Sequence, residues 1–377
     1  MANDLQRPLR IMMVTHSLRA GGAERQLGYL ARGLEERGHR VAVVALRRPG
    51  EPDPAKDIRG PVCRPAGRGN YDPRLFFRIW RTIRRERPDL IQTWNPQTDI
   101  LGGAAAVFAG CPWIIREPIS GDFYRSGWKP RLRSLLAVRA AAVIANSAGG
   151  RRYWLERYPG RFLAVVRNGL PLEAIGEVEP VTRERLGLKP GRKLILYAGR
   201  LTRQKRVDLL LETFSRLGPD RDAVLVICGE GEEENTLKNR AAELGAAGQV
   251  RFVGVQAPER VWALMKTADL FVSLSDFEGM PNTVMEAMAC GTPLLVSDIP
   301  AHREILDENA AALVNRGDAP AAASGLEFLL SDRSADLRRT RTAAARQQVM
   351  SWSISEMVSG YEKIYRLVLD VTGGGRR

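Results

Sequence analysis

Cysteine, histidine and long apolar runs are all scarce in this chain, and each scarcity removes a class of function. Four cysteines, Cys63, Cys111, Cys228 and Cys290, are scattered through 377 residues without a Cys-x-x-Cys pair. That pattern excludes a disulfide-stapled scaffold. Each cysteine lies in or beside an apolar run and reads as a buried free thiol in a reducing compartment. Three histidines, His16, His39 and His302, form no ligand cluster. One Asp-x-Asp occurs, Asp220-Arg221-Asp222, and it precedes a strand. Ligands of open parallel sheets gather at the opposite, C-terminal edge of the strands. No metal site and no cofactor are therefore expected. No run approaches the ~18–20 consecutive apolar residues of a membrane-spanning helix; the nearest, 101–109, reads as a small-residue helix. The opening MANDLQRPLR lacks the apolar segment of a signal peptide, so a cytoplasmic location is expected. No internal repeat recurs at a period of about 20–50 residues, which removes solenoids and propellers.

What the chain holds in excess is positive charge, +14 in all. The excess is lopsided: residues 1–180 carry 30 Lys+Arg against 17 Asp+Glu, and residues 181–377 carry 27 against 26. General arginine enrichment would raise both halves alike. A basic first half points to an anionic partner: a phospholipid surface, a lipid diphosphate or nucleic acid. Residues 73–86 (PRLFFRIWRTIRRE) read as a helix with Phe76, Ile79, Trp80 and Ile83 on one face and Arg78, Arg81, Arg84 and Arg85 on the other. This suits either a packed helix with a solvated basic face or a surface helix resting on anionic lipid. Residues 121–139 interleave Phe123, Tyr124, Trp128, Leu132, Leu135 and Leu136 with Arg125, Lys129, Arg131, Arg133 and Arg139, a second candidate membrane or acceptor surface. The same mixture could serve nucleic acid, but no nucleic-acid motif accompanies it.

The length suits two domains of about 170–200 residues each. Strand-like runs at 9–15, 41–46, 62, 89–94, 113–116, 142–146 and 163–168 alternate with helical patterns. A second series begins at 193–198 and continues at 223–228, 250–253, 268–274, 293–296 and 312–314. The pattern is α/β: two Rossmann-like, doubly wound parallel sheets. Residues 1–170 form the first domain and 193–352 the second. Residues 171–192, with Pro171, Pro180 and Pro190, read as a linker. A last helix occupies about 353–369, and 373–377 form a frayed tail.

The richest stretch is 273–297, SLSDFEGMPNTVMEAMACGTPLLVS. A strand ends, a loop with Gly279, Met280 and Pro281 follows, and a helix runs from about Asn282 to Cys290, stopped by Gly291. Glu278 and Glu286 flank the turn with seven residues between them. Asn282 and Thr283 are cap-type residues, and the free N–H groups of that helix start suit an anion such as a diphosphate. Carboxylates beside it can accept hydrogen bonds from sugar or ribose hydroxyls. The loop after the strand at 193–198, Gly199-Arg200-Leu201-Thr202-Arg203-Gln204-Lys205, leaves the same sheet edge, as does Gly229-Glu230-Gly231 after the next strand. Arg200, Lys205 and the helix start would converge on one anion and stabilise the charge of a departing diphosphate. In the first domain Gly21 and Gly22 let the backbone approach a ligand after the first strand.

EGMPNTVMEAMACGTPLL closely resembles the signature of the retaining glycosyltransferases of family four, which have the GT-B fold. The basic pair of Gly199–Lys205 resembles that family's GRL-x(3)-K motif, and GGAER at 21–25 a frequent family opening. The resemblance implies two Rossmann-like domains facing across a cleft, an acceptor-binding first and a nucleotide-sugar-binding second, with the last helix crossing back to the first. It implies metal-independent transfer from a nucleotide-diphosphate sugar, UDP-sugars among them. Arg200 and Lys205 would hold the diphosphate. Glu278 would contact the donor sugar, with backbone N–H groups around Gly279–Asn282, and Glu286 would bind the ribose. His16, Arg116, Glu117 and Asn168 fall on the acceptor side. Many relatives place a histidine after the fifth strand; here Ile115-Arg116-Glu117-Pro118 stands there, so no acid–base residue is assigned. The donor phosphate can itself take the acceptor's proton. The family's usual Asn-Gly-Val-Asp is replaced by Asn168-Gly169-Leu170-Pro171. The expected partners are a nucleotide sugar and a glycan or lipid-linked saccharide acceptor at the cytoplasmic membrane face, with peripheral contact through the basic half and no nucleic acid. The alternatives are a sugar-nucleotide hydrolase or epimerase, a phosphorylase, or a non-catalytic nucleic-acid- or membrane-binding protein.

Overall fold

The run Arg10–Thr15 forms strand β1, and its side chains part to opposite faces. Ile11 and Met13 enter one apolar cluster, Met12 and Val14 another. The two-residue period of a strand forces this split, so an unbroken apolar run needs cover on both sides. In this computed structural model, residues 7–18, 21–46, 58–65, 72–118, 127–160, 162–218 and 222–373 are described. From β1 the chain runs through α1 (Gly22–Glu36), β2 (Arg40–Ala45), β3 (Val62–Cys63), α2 (Pro73–Glu86), β4 (Leu90–Thr93), α3 (Pro96–Phe108), β5 (Trp113–Glu117), α4 (Trp128–Ala137), β6 (Ala142–Ala145), α5 (Ala148–Arg157) and β7 (Leu163–Val165). These strands form one parallel sheet in the order β3-β2-β1-β4-β5-β6-β7. Parallel neighbours need crossover connections, and the helices supply them.

A second series follows: α6 (Leu172–Glu177), β8 (Lys193–Ala198), α7 (Val207–Ser215), β9 (Ala223–Cys228), α8 (Glu234–Glu243), β10 (Val250–Gly254), α9 (Pro258–Thr267), β11 (Leu270–Ser273), α10 (Asn282–Cys290), β12 (Leu294–Asp298), α11 (Pro300–Arg303), β13 (Ala312–Asn315), α12 (Ala319–Leu330) and α13 (Ala335–Val349). Its six strands are parallel in the order β10-β9-β8-β11-β12-β13. The last helix, α14 (Ile354–Thr372), belongs to the first unit, which comprises Met1–Gly169 and Trp352–Arg377; the second is Leu170–Ser351.

The residues read as a linker are not an open tether. They carry α6, and Lys266 Nζ donates to the carbonyls of Gly176 and Val178 while Thr267 Oγ1 donates to that of Val181. Their carbonyls are satisfied by α9, which draws the segment into the second unit. Helix α13 had no strong sequence signal, because only Ala345 and Val349 of its residues are buried. Parts of the loop at 47–71, Phe123, Tyr124, Arg125 and most of the tail fall outside the described residues.

Within the first unit, α1 and α14 cover one face of the sheet, and α2 to α5 supply side chains to the other. Helix α14 turns Met357, Val358, Tyr361, Ile364, Tyr365, Val368 and Leu369 inward at helical spacing, and Ser353 caps its start by accepting from Glu356 N at 3.1 Å. Close approach of α3 to β5 depends on Gly103: a Cβ there would lie 2.3–2.7 Å from three indole carbons of Trp113. Alanine gains about 1 kcal/mol of helix propensity over glycine, whereas overpacking a filled core costs about 1–3 kcal/mol. Contact with a fully buried ring decides the sign. Gly103→Ala is expected to lower the melting temperature by roughly 2–6 °C, measured by circular dichroism; an unchanged or higher value would refute this packing.

Candidate active site

Strand order reverses between β8 and β11, which are neighbours in the second sheet. Connections leave such a point to opposite sides, so a crevice opens at the strand C-termini. The loops after β8 and β11 line it and are tied together there. Asp276 N donates to Gln204 O at 2.9 Å, and Gln204 Nε2 donates to Phe277 O at 2.7 Å. Arg206 takes a left-handed backbone (φ 48°) and extends Nη1 to Asp276 Oδ1 at 3.3 Å. Beside these contacts Lys205 Nζ meets Glu278 Oε1 at 2.5 Å.

Glu278 is buried, and a polar chain supports it from below. Ser275 Oγ donates to Glu278 Oε1 at 2.7 Å, Ser297 Oγ to Ser275 O at 2.6 Å, and His302 Nδ1 to Ser297 O at 2.7 Å. Burial pushes the Glu278 carboxyl up, but Lys205 and the Ser275 hydroxyl outweigh it and hold it below the usual carboxylate range. The carboxylate is thus an ion with fixed partners, suited to accepting hydrogen bonds from hydroxyls rather than to donating a proton. His302 is fully buried, and burial lowers its pKa, although the Ser297 carbonyl and Glu278 oppose that. Its proton sits on Nδ1, and Nε2 has no hydrogen-bond partner.

Around this pair stand the other residues singled out in the second unit. Arg200 is exposed at the end of β8, and no hydrogen bond or ion pair engages its guanidinium among the described residues. Its carbonyl accepts from Tyr197 OH at 3.0 Å, which fixes the turn. Helix α10 starts at Asn282 with Pro281 as N-cap, and Pro281 supplies no side-chain cap. Gly279, Asn282 and Thr283 are half-buried, and Met280 and Pro281 are buried. Glu286 is buried one turn into α10 and accepts from Trp262 Nε1 at 3.2 Å. Gly199 and Gly229 sit together: a Cβ on Gly229 (φ +139°) would fall 1.9 Å from the Gly199 carbonyl.

In the first unit Gly21 is the extended N-cap of α1, Gly22 is exposed and His16 is half-buried. Arg19 and Ala20 lie outside the described residues. Arg116 is buried, stacks 4.5 Å over the Trp94 ring and donates from Nη2 to Asn168 Oδ1 at 2.8 Å. The expectation for Glu117 is corrected. Its carboxylate is fully enclosed, accepting from Arg133 Nη2 at 2.8 Å and Trp154 Nε1 at 2.9 Å. Arg133 also donates to Asp99 Oδ2 at 2.7 Å. Burial pushes the Asp99 carboxyl up to about 6, with Arg133 and Thr93 opposing. Alternation along β5 sends Glu117 to the face opposite Arg116 and into this enclosed ion cluster.

No group of three or more His, Cys, Asp or Glu side chains could hold a metal ion among the described residues. Asp222 is bound to Arg192 at 3.2 Å; Asp220 and Arg221 lie outside the described residues. Residue-type reasoning passed over Gln204, Ser275, Ser297, Trp262 and His302. Ser275 had a signal, three residues before Glu278. His302 was set aside for want of metal-binding partners, and its partner turned out to be a carbonyl.

Two parallel doubly wound sheets, the second with a basic and carboxylate-bearing switch point, define the class of glycosyltransferases with the GT-B fold. The Glycosyl transferases group 1 family model matches residues 178–348, and the Glycosyltransferase Family 4 model matches residues 20–174. The chain belongs to this glycosyltransferase family. It is 29% identical over 339 residues to the lipopolysaccharide core biosynthesis glycosyltransferase LpsE of Rhizobium meliloti, covering 88% of this chain and 92% of that protein. It is 27% identical over 372 residues to the phosphatidyl-myo-inositol mannosyltransferase of Mycobacterium leprae, covering 92% and 93%. Among solved structures, Anabaena Alr3699/HepE in complex with UDP-glucose superposes with a TM-score of 0.81 at 21% identity, over 96% of this chain and 100% of that one.

The buried imidazoles set an acid limit. His302 in the second unit and His39 in the first both have pKa values lowered by burial; His39 accepts from Leu9 N at 3.0 Å, with Glu362 opposing the shift. Below the unfolded value of about 6.5, the unfolded chain binds protons that the folded one refuses. Their contribution to stability is therefore full above that pH and falls as pH drops through it, while Asp99, raised to about 6, takes up a proton in the folded state and partly offsets the fall. Thermal unfolding between pH 7.5 and 5.5 is expected to show this loss, and His302→Gln should flatten it only in part, because His39 remains. An identical pH slope in the variant would refute the assignment.

Proposed function

We propose that this chain is a retaining, metal-independent glycosyltransferase. It moves a sugar from a nucleotide-diphosphate sugar to a glycan or lipid-linked saccharide. The observation that carries this reading is the Lys205–Glu278 pair beside the start of α10 and beside Arg200, whose guanidinium meets no partner among the described residues. Arg200, Lys205 and the helix N–H groups would neutralise the diphosphate as it departs, the role a divalent cation fills elsewhere. Glu278 would accept hydroxyls of the donor sugar and Glu286 those of the ribose, and both act by positioning. The neighbouring HepE structure bound to UDP-glucose supports a uridine donor. Transfer on the face that the leaving group quits needs no enzymic nucleophile, and the leaving phosphate can take the acceptor's proton.

The first unit supports an acceptor at an anionic membrane face. Helices α2, α3 and α4 expose Phe77, Phe108, Trp128 and Leu135, each 59–70% accessible, among Arg78, Arg81, Arg84, Lys129 and Arg131. Aromatic and cationic side chains so mixed suit the headgroup region of a bilayer. None of the described helices is long and apolar enough to cross a membrane.

Donor consumption should need an acceptor. Glu278→Gln and Arg200→Ala are expected to lower kcat/KM for the nucleotide sugar about 100-fold or more, roughly 2.7 kcal/mol of transition-state stabilisation each. Acceptor-independent turnover would favour a hydrolase, and full activity in both variants would remove the assignment. On flotation, the protein should rise with vesicles containing anionic phospholipid at low salt and be released by high salt. No binding at low salt would remove the membrane part alone.

A further inference from the structure

Buried N–H donors without acceptors collect on one face of the first sheet. Gln92 on β4 and Ile114 on β5 are register partners, and two residues further along Trp94, just past β4, lies under the Arg116 guanidinium of β5. This face is covered by α14. Arg116 lies against Trp94 and beside the Tyr361 phenol, and Tyr365 OH bonds Gln92 Oε1. All five side chains are nearly inaccessible, Arg116 being 1% exposed. Among the described residues, Arg116 Nε and Nη1, Trp94 Nε1 and Gln92 Nε2 meet no hydrogen-bond acceptor. Arg116 has only neutral partners, the amide of Asn168 and the Tyr361 phenol, and no carboxylate pairs with it among the described residues.

A buried guanidinium without a counter-charge is costly, by several kcal/mol. Water can satisfy N–H groups but cannot neutralise the charge. Each of the four unmet atoms is a donor, so what is missing is an acceptor bearing negative charge. Trp94 and Arg116 stand at the C-terminal ends of adjacent strands, the edge where ligands of such sheets bind, and Asn168 follows β7 at the same edge.

We propose that Arg116, with Trp94 and Asn168, forms an anion site in the first unit that takes a phosphate group of the acceptor. Entry requires the Asn168 amide, held by Arg116 itself, to swing aside. The inference deepens the glycosyltransferase reading and rests on it for the word acceptor; the anion site stands on the geometry alone. Among saccharide acceptors it selects those that carry a phosphate or diphosphate.

The test pairs Arg116→Gln with Asn168→Asp, the second placing a permanent carboxylate against Arg116. Thermal unfolding is followed with inorganic phosphate titrated against sodium chloride at equal ionic strength, with UDP saturating the donor site. The wild type should gain roughly 5 °C at saturating phosphate. Asn168→Asp should melt at or above the wild type without phosphate and lose the response; Arg116→Gln should also lose it. A second arm compares a short-chain lipid-linked saccharide diphosphate with its phosphate-free analogue. The wild type should prefer the former by about tenfold or more in KM, and Asn168→Asp should erase the preference. Equal phosphate responses in all three proteins would overturn the proposal. So would an Asn168→Asp that melts lower and still responds. A response to inorganic phosphate with no acceptor preference would overturn the acceptor assignment. Donor turnover by the wild type, measured alongside, separates these outcomes from failure of the enzyme reading.

Discussion

An ammonium and a carboxylate, 73 positions apart in the chain, meet at 2.5 Å where the second sheet reverses its strand order. Lys205 and Glu278 are only 17% and 7% exposed as side chains, so neither charge could stand there without the other. Their pairing fixes much else. It requires β8 and β11 to be neighbours, requires both loops to leave the same edge, and holds the helix start of α10 next to a cationic loop. The bonds through Gln204 and Arg206 make the loops one rigid wall, and the Ser275, Ser297 and His302 chain anchors it to β12. In the proposed transfer, a preorganised wall of this kind would reduce the reorganisation needed when the charge of a leaving group develops.

The first unit handles buried charge in two contrasting ways, and adjacent residues of β5 display both. Glu117 turns into a closed cluster where Arg133 bridges it to Asp99, with Trp154 and Thr93 supplying further donors. That cluster joins α3, α4, α5 and β5, and its work is structural. Arg116 turns the other way and finds an indole face, an amide and unpaired surroundings. A closed ion cluster stiffens a fold, whereas a donor-rich, uncompensated one leaves room for a ligand's charge.

Much of the fold was legible because its strands are apolar on both faces and its helices alternate with them. The bounds of α2, β8, β9, α10 and α12 follow from apolar runs ended by proline, glycine or charge. The grouping around Glu278 was legible because a strand, a glycine-bearing loop and a helix start occur together in that stretch. The linker was misjudged for a physical reason: prolines signal a break in regular structure but do not reveal that α9 supplies donors to the carbonyls between them. Glu117 was misplaced because the sequence puts it next to Arg116, and adjacency along a strand means opposite faces in space.

By itself the sequence determined the two α/β halves and the family, since these depend on local periodicity and contiguous motifs. Only the tertiary structure decided that Lys205 is committed to Glu278, that His302 serves a carbonyl, and that Arg116 rather than Glu117 keeps unmet donors. Those outcomes depend on which distant groups share a buried space. Hydrogen bonds and ion pairs have a reach of a few ångströms, and chain order does not encode who arrives within it.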